Sequence, residues 1–288
     1  LRRGNRALKR PEGRALRYLV SSDVIVWDAR NSELRGCVAE VRLLYSRPIH
    51  FRSMKNSFLN LIVLLVLISL VPLAAANRAV VNESGIKGGV IVYLGKVDAK
   101  KLAGFRLHDS FMVHGLDTDA EQIAQARKDL HAEGLYGPVS VDRIDGGALP
   151  YIDNFVNLVV AEQGTRVTRE EIERVLVPNG VAMISRKGKW AKIQKARPSN
   201  IDDWTHYFHN PSGNAVAQDT VVGPPRRMQW VGSPRWSRHH DRMASMSALV
   251  SGNGRLFYIM DEGSRISIQL PPKWKLIARD AFNGSVLW

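Results

Sequence analysis

Five short apolar runs alternate with helix-period segments between Gly89 and Ser185. The first run, Val90–Leu94, is apolar without interruption, which is typical of a strand buried on both faces of a parallel sheet. Strands separated by helices are joined by right-handed crossovers, so the pattern predicts an open parallel α/β sheet. We place its strands at residues 90–94, 111–116, 139–144, 158–161 and 181–184.

Helix starts and turns divide these runs into a Rossmann-like domain over residues 77–185. Thr118 with Glu121, and Thr168 with Glu171, have the spacing of capping boxes and predict two helix starts. Pro178-Asn179-Gly180 predicts a turn directly before the fifth strand.

The pattern changes after Ser185. Residues 186–203 are basic, carry a Pro-Ser-Asn cluster and predict a linker. Residues 204–288 then predict an all-β segment, with one hairpin turn at Gly252-Asn253-Gly254 and another at Asn283-Gly284.

The N-terminal part has a different character, since half of the net charge of +14 lies in residues 1–53. From Met54 the chain has the form of a secretory signal: a lysine, an apolar core and the small residues Ala74-Ala75-Ala76 before a cleavage point. We predict a signal peptide at 54–76, upstream or disordered basic sequence at 1–53, and export to the periplasm or exterior. An uncleaved membrane anchor at 58–76 is the alternative.

Cysteine usage limits the chemistry of the exported part. The single cysteine, Cys37, lies in the basic upstream segment. Disulfides, thiolate metal sites and a cysteine nucleophile are therefore excluded beyond residue 76.

Candidate ligand-binding groups follow the first three predicted strands: Gly95, then Asp117 with Thr118, then Asp145 with Gly146. Ligands of open α/β sheets bind at the carboxyl ends of the strands. An acid after the second strand is suited to accept hydrogen bonds from two ribose hydroxyls. An acid after the third can accept one from an adenine amino group.

These groups, together with two further stretches, resemble class I S-adenosylmethionine-dependent methyltransferases over residues 89–185. Gly115-Leu116-Asp117 matches the end of the family's second strand, and Asp145 the end of its third. Residues 149–159 and 175–180 match the approaches to strands four and five, with Asn157 where aspartate is usual. The resemblance implies S-adenosylmethionine as the cofactor and methyl transfer as the reaction, and leaves the catalytic residues unknown.

The first loop departs from the family pattern, because Val97 and Ala99 replace two of its glycines. We expect the branched Val97 side chain to obstruct the methionine end of the ligand, and Lys96 to repel its sulfonium. A degenerate or repurposed Rossmann-like domain that kept its core and lost its ligand is therefore the alternative to an active methyltransferase. Dinucleotide binding ranks behind both, since no Gly-x-Gly-x-x-Gly is present.

The C-terminal stretch with Asp280, Gly284 and Trp288 resembles one repeat of quinoprotein-type β-propellers. The resemblance implies a first blade, with further blades beyond Trp288. The ligands of pyrroloquinoline quinone would come from those blades, so quinone binding is not supported by the repeat present. A quinone-dependent dehydrogenase in the further blades, and a non-catalytic scaffold at the cell envelope, stay open as alternatives.

Histidines and basic residues crowd the segment before this blade. Metal binding through His206, His209, His239 and His240 is conceivable, but the density of Trp, Pro and Arg favours a packed inter-domain segment. We predict no metal site. We expect an envelope partner or a small-molecule substrate, no nucleic acid, and membrane contact only through residues 58–76.

Overall fold

The computed structural model describes residues 76–224, 227–233, 246–267 and 269–288. All of them belong to one compact unit, Ser53–Trp288. The predicted upstream segment, nearly all of the predicted signal peptide, and both His239 and His240 lie outside the described residues. None of the helices in the described ranges has the length and apolarity needed to cross a bilayer.

Two sheets and four helices make up the described part. The elements are, in chain order, α1 (76–84), β1 (Gly89–Leu94), α2 (Ala99–Phe105), β2 (Phe111–Asp117), α3 (Ala120–Ala132), β3 (Val139–Arg143), β4 (Val156–Ala161), α4 (Arg169–Val175), β5 (Leu176–Arg186), β6 (Lys189–Gln194), β7 (Met246–Gly252), β8 (Arg255–Asp261) and β9 (Trp274–Asp280).

The first sheet has the strand order β3-β2-β1-β4-β5-β6. Strands β1 to β5 are parallel, so the predicted open α/β sheet is confirmed. Strand β6 runs antiparallel to β5 and lies within residues 186–203, where the sequence predicts only a linker. That expectation was wrong for 189–194, because an edge strand exposes one side and its lysines hide the apolar alternation.

Helices cover both faces of this sheet. Helices α1, α2 and α3 pack on one face, through a cluster that includes Val81, Leu102 and Leu130. Helix α4 packs on the other face, where Ile172 and Val175 join a second cluster. The continuous burial of β1 and β4 follows from this two-sided cover.

The capping-box spacing predicted the start of one helix correctly and placed the start of the other one residue too early. Thr168 is the N-cap of α4 and accepts a hydrogen bond from the Glu171 amide. The N-cap of α3 is Asp119, and not Thr118 as predicted; its carboxylate accepts bonds from the amides of Glu121 and Gln122. A carboxylate at the cap also interacts favourably with the helix dipole.

The predicted turn Pro178-Asn179-Gly180 is an irregularity inside β5 and not a separate loop. The pairing with β4 jumps between Val156 and Leu158 at this place. Asn179 has a positive φ of 66°, which asparagine tolerates better than most residues.

The second sheet confirms the predicted all-β segment. It has the order β7-β8-β9, with antiparallel pairing throughout. Asn253 and Gly254, both at positive φ, form the turn between β7 and β8. After Asn283-Gly284 the chain returns along β9, where the Ala278 amide donates to the Trp288 carbonyl over 3.0 Å. Its identity as a propeller blade stays a prediction.

A buried polar cluster joins the two sheets. The Asn157 amide nitrogen, on β4, donates to the Asp280 carboxylate over 2.7 Å. The Asn157 oxygen accepts from the Val90 amide over 2.8 Å and from the Asn283 side chain over 2.7 Å. A β-carbon at Gly89 would collide with the Asn157 side chain, so glycine is required there. The three polar side chains are each less than 10% exposed.

Candidate ligand-binding site

The strand order reverses at β1, which lies between β2 and β4. The chain leaves β1 toward one side of the sheet and returns to the other, so a crevice opens at the carboxyl ends of these strands. A cavity of about 600 Å³ occupies this crevice. Its walls come from the loops after four strands: Leu94, Gly95, Lys96, Leu116, Asp117, Thr118, Asp119, Gln122, Ile144, Gly146, Glu162, Gln163, Gly164, Thr165, Arg166 and Val167.

Four of the five predicted site residues line this cavity: Gly95, Asp117, Thr118 and Gly146. Asp145 is placed differently. Its carboxylate lies 2.9 Å from Arg143 Nε, with most of the side chain exposed. Asp145 pairs with this guanidinium and is not among the residues that line the cavity, so we do not assign it to adenine.

Asp117 is held in place by backbone amides. One carboxylate oxygen accepts from Val97 N over 2.8 Å, and the other from the amides of Thr118 and Asp119 over 2.7 and 3.1 Å. These bonds fasten the β1–α2 turn to the end of β2. The oxygen facing Val97 accepts a single bond, and a carboxylate oxygen has room for a second donor.

Gly95 can only be glycine. Its φ is 152°, and a β-carbon there would lie 2.9 Å from Glu162 Oε2 and 3.0 Å from the Tyr93 hydroxyl. A side chain at this φ would be strained, and its β-carbon would also push the Glu162 carboxylate and the Tyr93 hydroxyl aside. The glycine therefore serves the close approach of Glu162 to the turn.

Tyr93, Lys101 and Glu162 form a hydrogen-bonded group beside Gly95. Lys101 Nζ donates to the Tyr93 hydroxyl and to Glu162 Oε1, both over 3.0 Å. Burial, and then the Glu162 carboxylate, raise the pKa of Tyr93 well above its usual value. The sequence reasoning missed this group. Glu162 could have been predicted, because it follows the end of a strand, as the acid-at-strand-end rule for Asp117 requires. Lys101 could not, because only the packing of α2 brings it to the group.

Val97 and Ala99 do not crowd the cavity. Val97 is 1% exposed and Ala99 is 3% exposed, and both belong to the core under α2. Val97 packs against Gly115 of β2, where a β-carbon would come within 3.0 Å of it. The expected obstruction of a ligand by Val97 was therefore wrong, since its side chain points into the core.

His206 and His209 make local contacts. His209 Nε2 lies 2.6 Å from Asp202 Oδ2, and His209 is almost fully buried. Hydrogen bonds from the Gln218 amide and from His209 hold the pKa of Asp202 below its usual range. The described ranges contain no group of three or more His, Cys, Asp or Glu side chains able to hold a metal ion.

Comparison with protein-family models finds no match for this sequence, and comparison with curated proteins finds none either. Several solved structures are similar. The [4+2]-cyclase SpnF is 22% identical with a TM-score of 0.35, over 38% of this chain and 43% of the cyclase. A putative S-adenosyl-L-methionine-dependent methyltransferase from Methanococcus maripaludis is 16% identical with a TM-score of 0.37, over 49% and 67%.

Geranyl diphosphate methyltransferase in complex with SAM is 14% identical with a TM-score of 0.35. That match covers 38% of this chain and 48% of the methyltransferase. This chain thus spans less than half the length of the first and third of these proteins. At such identities and TM-scores, nothing about ligand or reaction carries over from them.

Proposed function

We propose that the cavity at the carboxyl end of the sheet binds an adenosine-containing ligand, with S-adenosylmethionine as the foremost candidate. The observation that carries the proposal is Asp117, a carboxylate fixed by three amides on the wall of a cavity of about 600 Å³ at the switch point of the sheet. Cavities of this size are ordinary for small-molecule sites.

The chemistry of the Asp117 side fits a ribose. Two neighbouring hydroxyls of a ribose donate hydrogen bonds, and the Asp117 carboxylate is an acceptor held in one orientation. Thr118 and Gln122 line the same wall and supply polar side chains. Ile144 and Gly146 line the cavity after β3, and the space around Gly146 is open, which leaves room for a flat ring.

We expect the full-length protein to bind S-adenosylhomocysteine and adenosine in calorimetric titration. Asp117→Asn removes the charge that receives the hydroxyls, so adenosine affinity should fall about tenfold, as lost hydrogen bonds to a charged group predict. Dideoxyadenosine lacks both hydroxyls, so it should bind wild-type protein weakly. Its affinity for the Asp117→Asn variant should be the same as for wild type. This ligand-side comparison separates a lost contact from a loosened turn.

Asp142→Asn is the matched control, because Asp142 is an exposed acid of the neighbouring strand outside the cavity lining. It should leave all affinities unchanged. Failure of wild-type protein to bind either adenosine ligand at about 1 mM would remove the proposal, since any useful affinity saturates the site there.

Binding without methyl transfer is the second candidate function. It is favoured by the Tyr93–Lys101–Glu162 group, in which Lys101 donates to the Tyr93 hydroxyl and pairs with one oxygen of Glu162, the acid that follows β4. Incubation with S-adenosylmethionine and a panel of acceptors distinguishes the two. Release of S-adenosylhomocysteine supports a transferase, and binding without release supports the binding function.

We propose further that the protein is exported and that the second sheet is a propeller blade. Cleavage after Ala76 would leave Asn77 as the first residue. The side-chain amide of Asn77 donates to the Lys101 carbonyl over 3.1 Å, so the new N-terminus would start at a residue that contacts α2. We expect N-terminal sequencing of the exported protein to begin at Asn77. An intact chain retained in the membrane fraction would instead support the anchor at 58–76.

A further inference from the structure

We propose that the same cavity holds an anionic group, a carboxylate or a phosphate, between Lys96 and Arg166. The proposal rests on the adenosine site of the proposed function and adds the charge of what lies beside the adenosine. Lys96 belongs to the turn after β1 and Arg166 to the loop after β4, and both line the cavity.

The carboxylates that line the cavity all accept hydrogen bonds from donors within the protein. Asp117 accepts hydrogen bonds from three backbone amides. Asp119 accepts from two amides at the start of α3. Glu162 forms an ion pair with Lys101 over 3.0 Å. Each of these carboxylates therefore already has donors within the protein, and in the described ranges only Glu162 is paired with a cation.

The two cations that line the cavity, Lys96 and Arg166, differ from these carboxylates. Neither Lys96 Nζ nor the Arg166 guanidinium makes a hydrogen bond or ion pair with another residue in the part of the chain that the structure describes. Lys96 and Arg166 are thus two cations of the cavity lining that have no partner within the described residues and stay available to a ligand. A guanidinium and an ammonium on the wall of one cavity suit a carboxylate or a phosphate, which can accept hydrogen bonds from both.

An anion at this place also resolves a conflict in the proposed ligand. The sulfonium of S-adenosylmethionine is a cation, and Lys96 alone would repel it. An anion between Lys96 and Arg166 neutralises that repulsion. Two sources can supply it: the amino-acid carboxylate of the adenosine ligand itself, or a separate acidic substrate.

The test compares wild-type protein with the double variant Lys96→Gln/Arg166→Gln by calorimetry at low salt. The probes are S-adenosylhomocysteine, methylthioadenosine with and without inorganic phosphate, and inorganic phosphate alone. Methylthioadenosine lacks the amino-acid end, so it reports the adenosine contacts without the carboxylate. The control Lys100→Gln/Arg169→Gln removes two exposed cations of the same domain and the same net charge.

We expect the double variant, and not the control, to lose about tenfold in affinity for an anion-bearing combination, as one lost charge-assisted contact predicts. A loss for S-adenosylhomocysteine alone assigns the anion to the ligand. A loss of phosphate-enhanced methylthioadenosine binding assigns it to a separate substrate. Equal affinities of wild type and double variant for every probe overturn the proposal.

Failure of the adenosine site gives a different result. Wild-type protein would then bind no adenosine probe, and inorganic phosphate alone would still report the anion site. Phosphate binding that is present in wild type and absent in the double variant supports the anion site without adenosine. Phosphate binding absent from wild type, together with no adenosine binding, removes both proposals.

Discussion

Asn157→Asp is expected to lower the free energy of unfolding by about 3 kcal/mol at neutral pH, as loss of one partner in a buried charged contact does. The Asn157 amide nitrogen donates to the Asp280 carboxylate, and both side chains are nearly inaccessible to solvent. The substitution replaces this donor by an acceptor and sets two carboxylates against each other. Urea denaturation of the full-length protein measures the change.

The effect should depend on pH with a defined sign. Two carboxyls in buried contact share a proton, so the pKa of one of them rises above its value in the unfolded chain. A raised pKa in the folded state contributes stability at low pH, and that stability is lost as the pH rises through it. The deficit of Asn157→Asp against wild type should therefore be small near pH 4 and grow toward pH 8.

Asn214→Asp is the matched control, because Asn214 is exposed and its side chain makes no contact that the described residues reveal. It should change stability little at any pH. Equal stability of Asn157→Asp and wild type at pH 8 would show that Asn157 and Asp280 do not meet in solution.

Val97→Gly is expected to destabilise the protein by about 3 kcal/mol, from the loss of a buried valine and the added freedom of a glycine. This substitution restores the glycine of the family pattern. Val97, however, fills the core between α2 and Gly115 and is 1% exposed. Affinity for S-adenosylhomocysteine should not improve, because the side chain does not face the cavity.

Val216→Gly makes the same substitution at an exposed position and isolates the backbone contribution. It should cost less than about 1 kcal/mol. Tighter ligand binding by Val97→Gly at unchanged stability would show instead that Val97 lies against the ligand.

Much of the first domain follows from local sequence. The strand before Gly95 is a continuous apolar run, and such a run between helix-period segments folds as a buried parallel strand. Ligands of such sheets bind at strand ends, and this rule predicted five site residues. Four of the five line one cavity in the structure. Strand β6 was not predicted from the sequence, because an edge strand needs no strong alternation of apolar and polar residues.

The sequence by itself thus determined the alternation of strands and helices between Gly89 and Ser185, the α/β class and the position of Gly95 and Asp117 at strand ends, because these depend on neighbours a few residues apart. Only the tertiary structure decided where individual side chains point. Val97 faces the core, Asp145 pairs with Arg143, and Asn157 meets Asp280 across 123 residues of chain. Such contacts depend on backbone direction and on distant partners, which residue spacing does not encode.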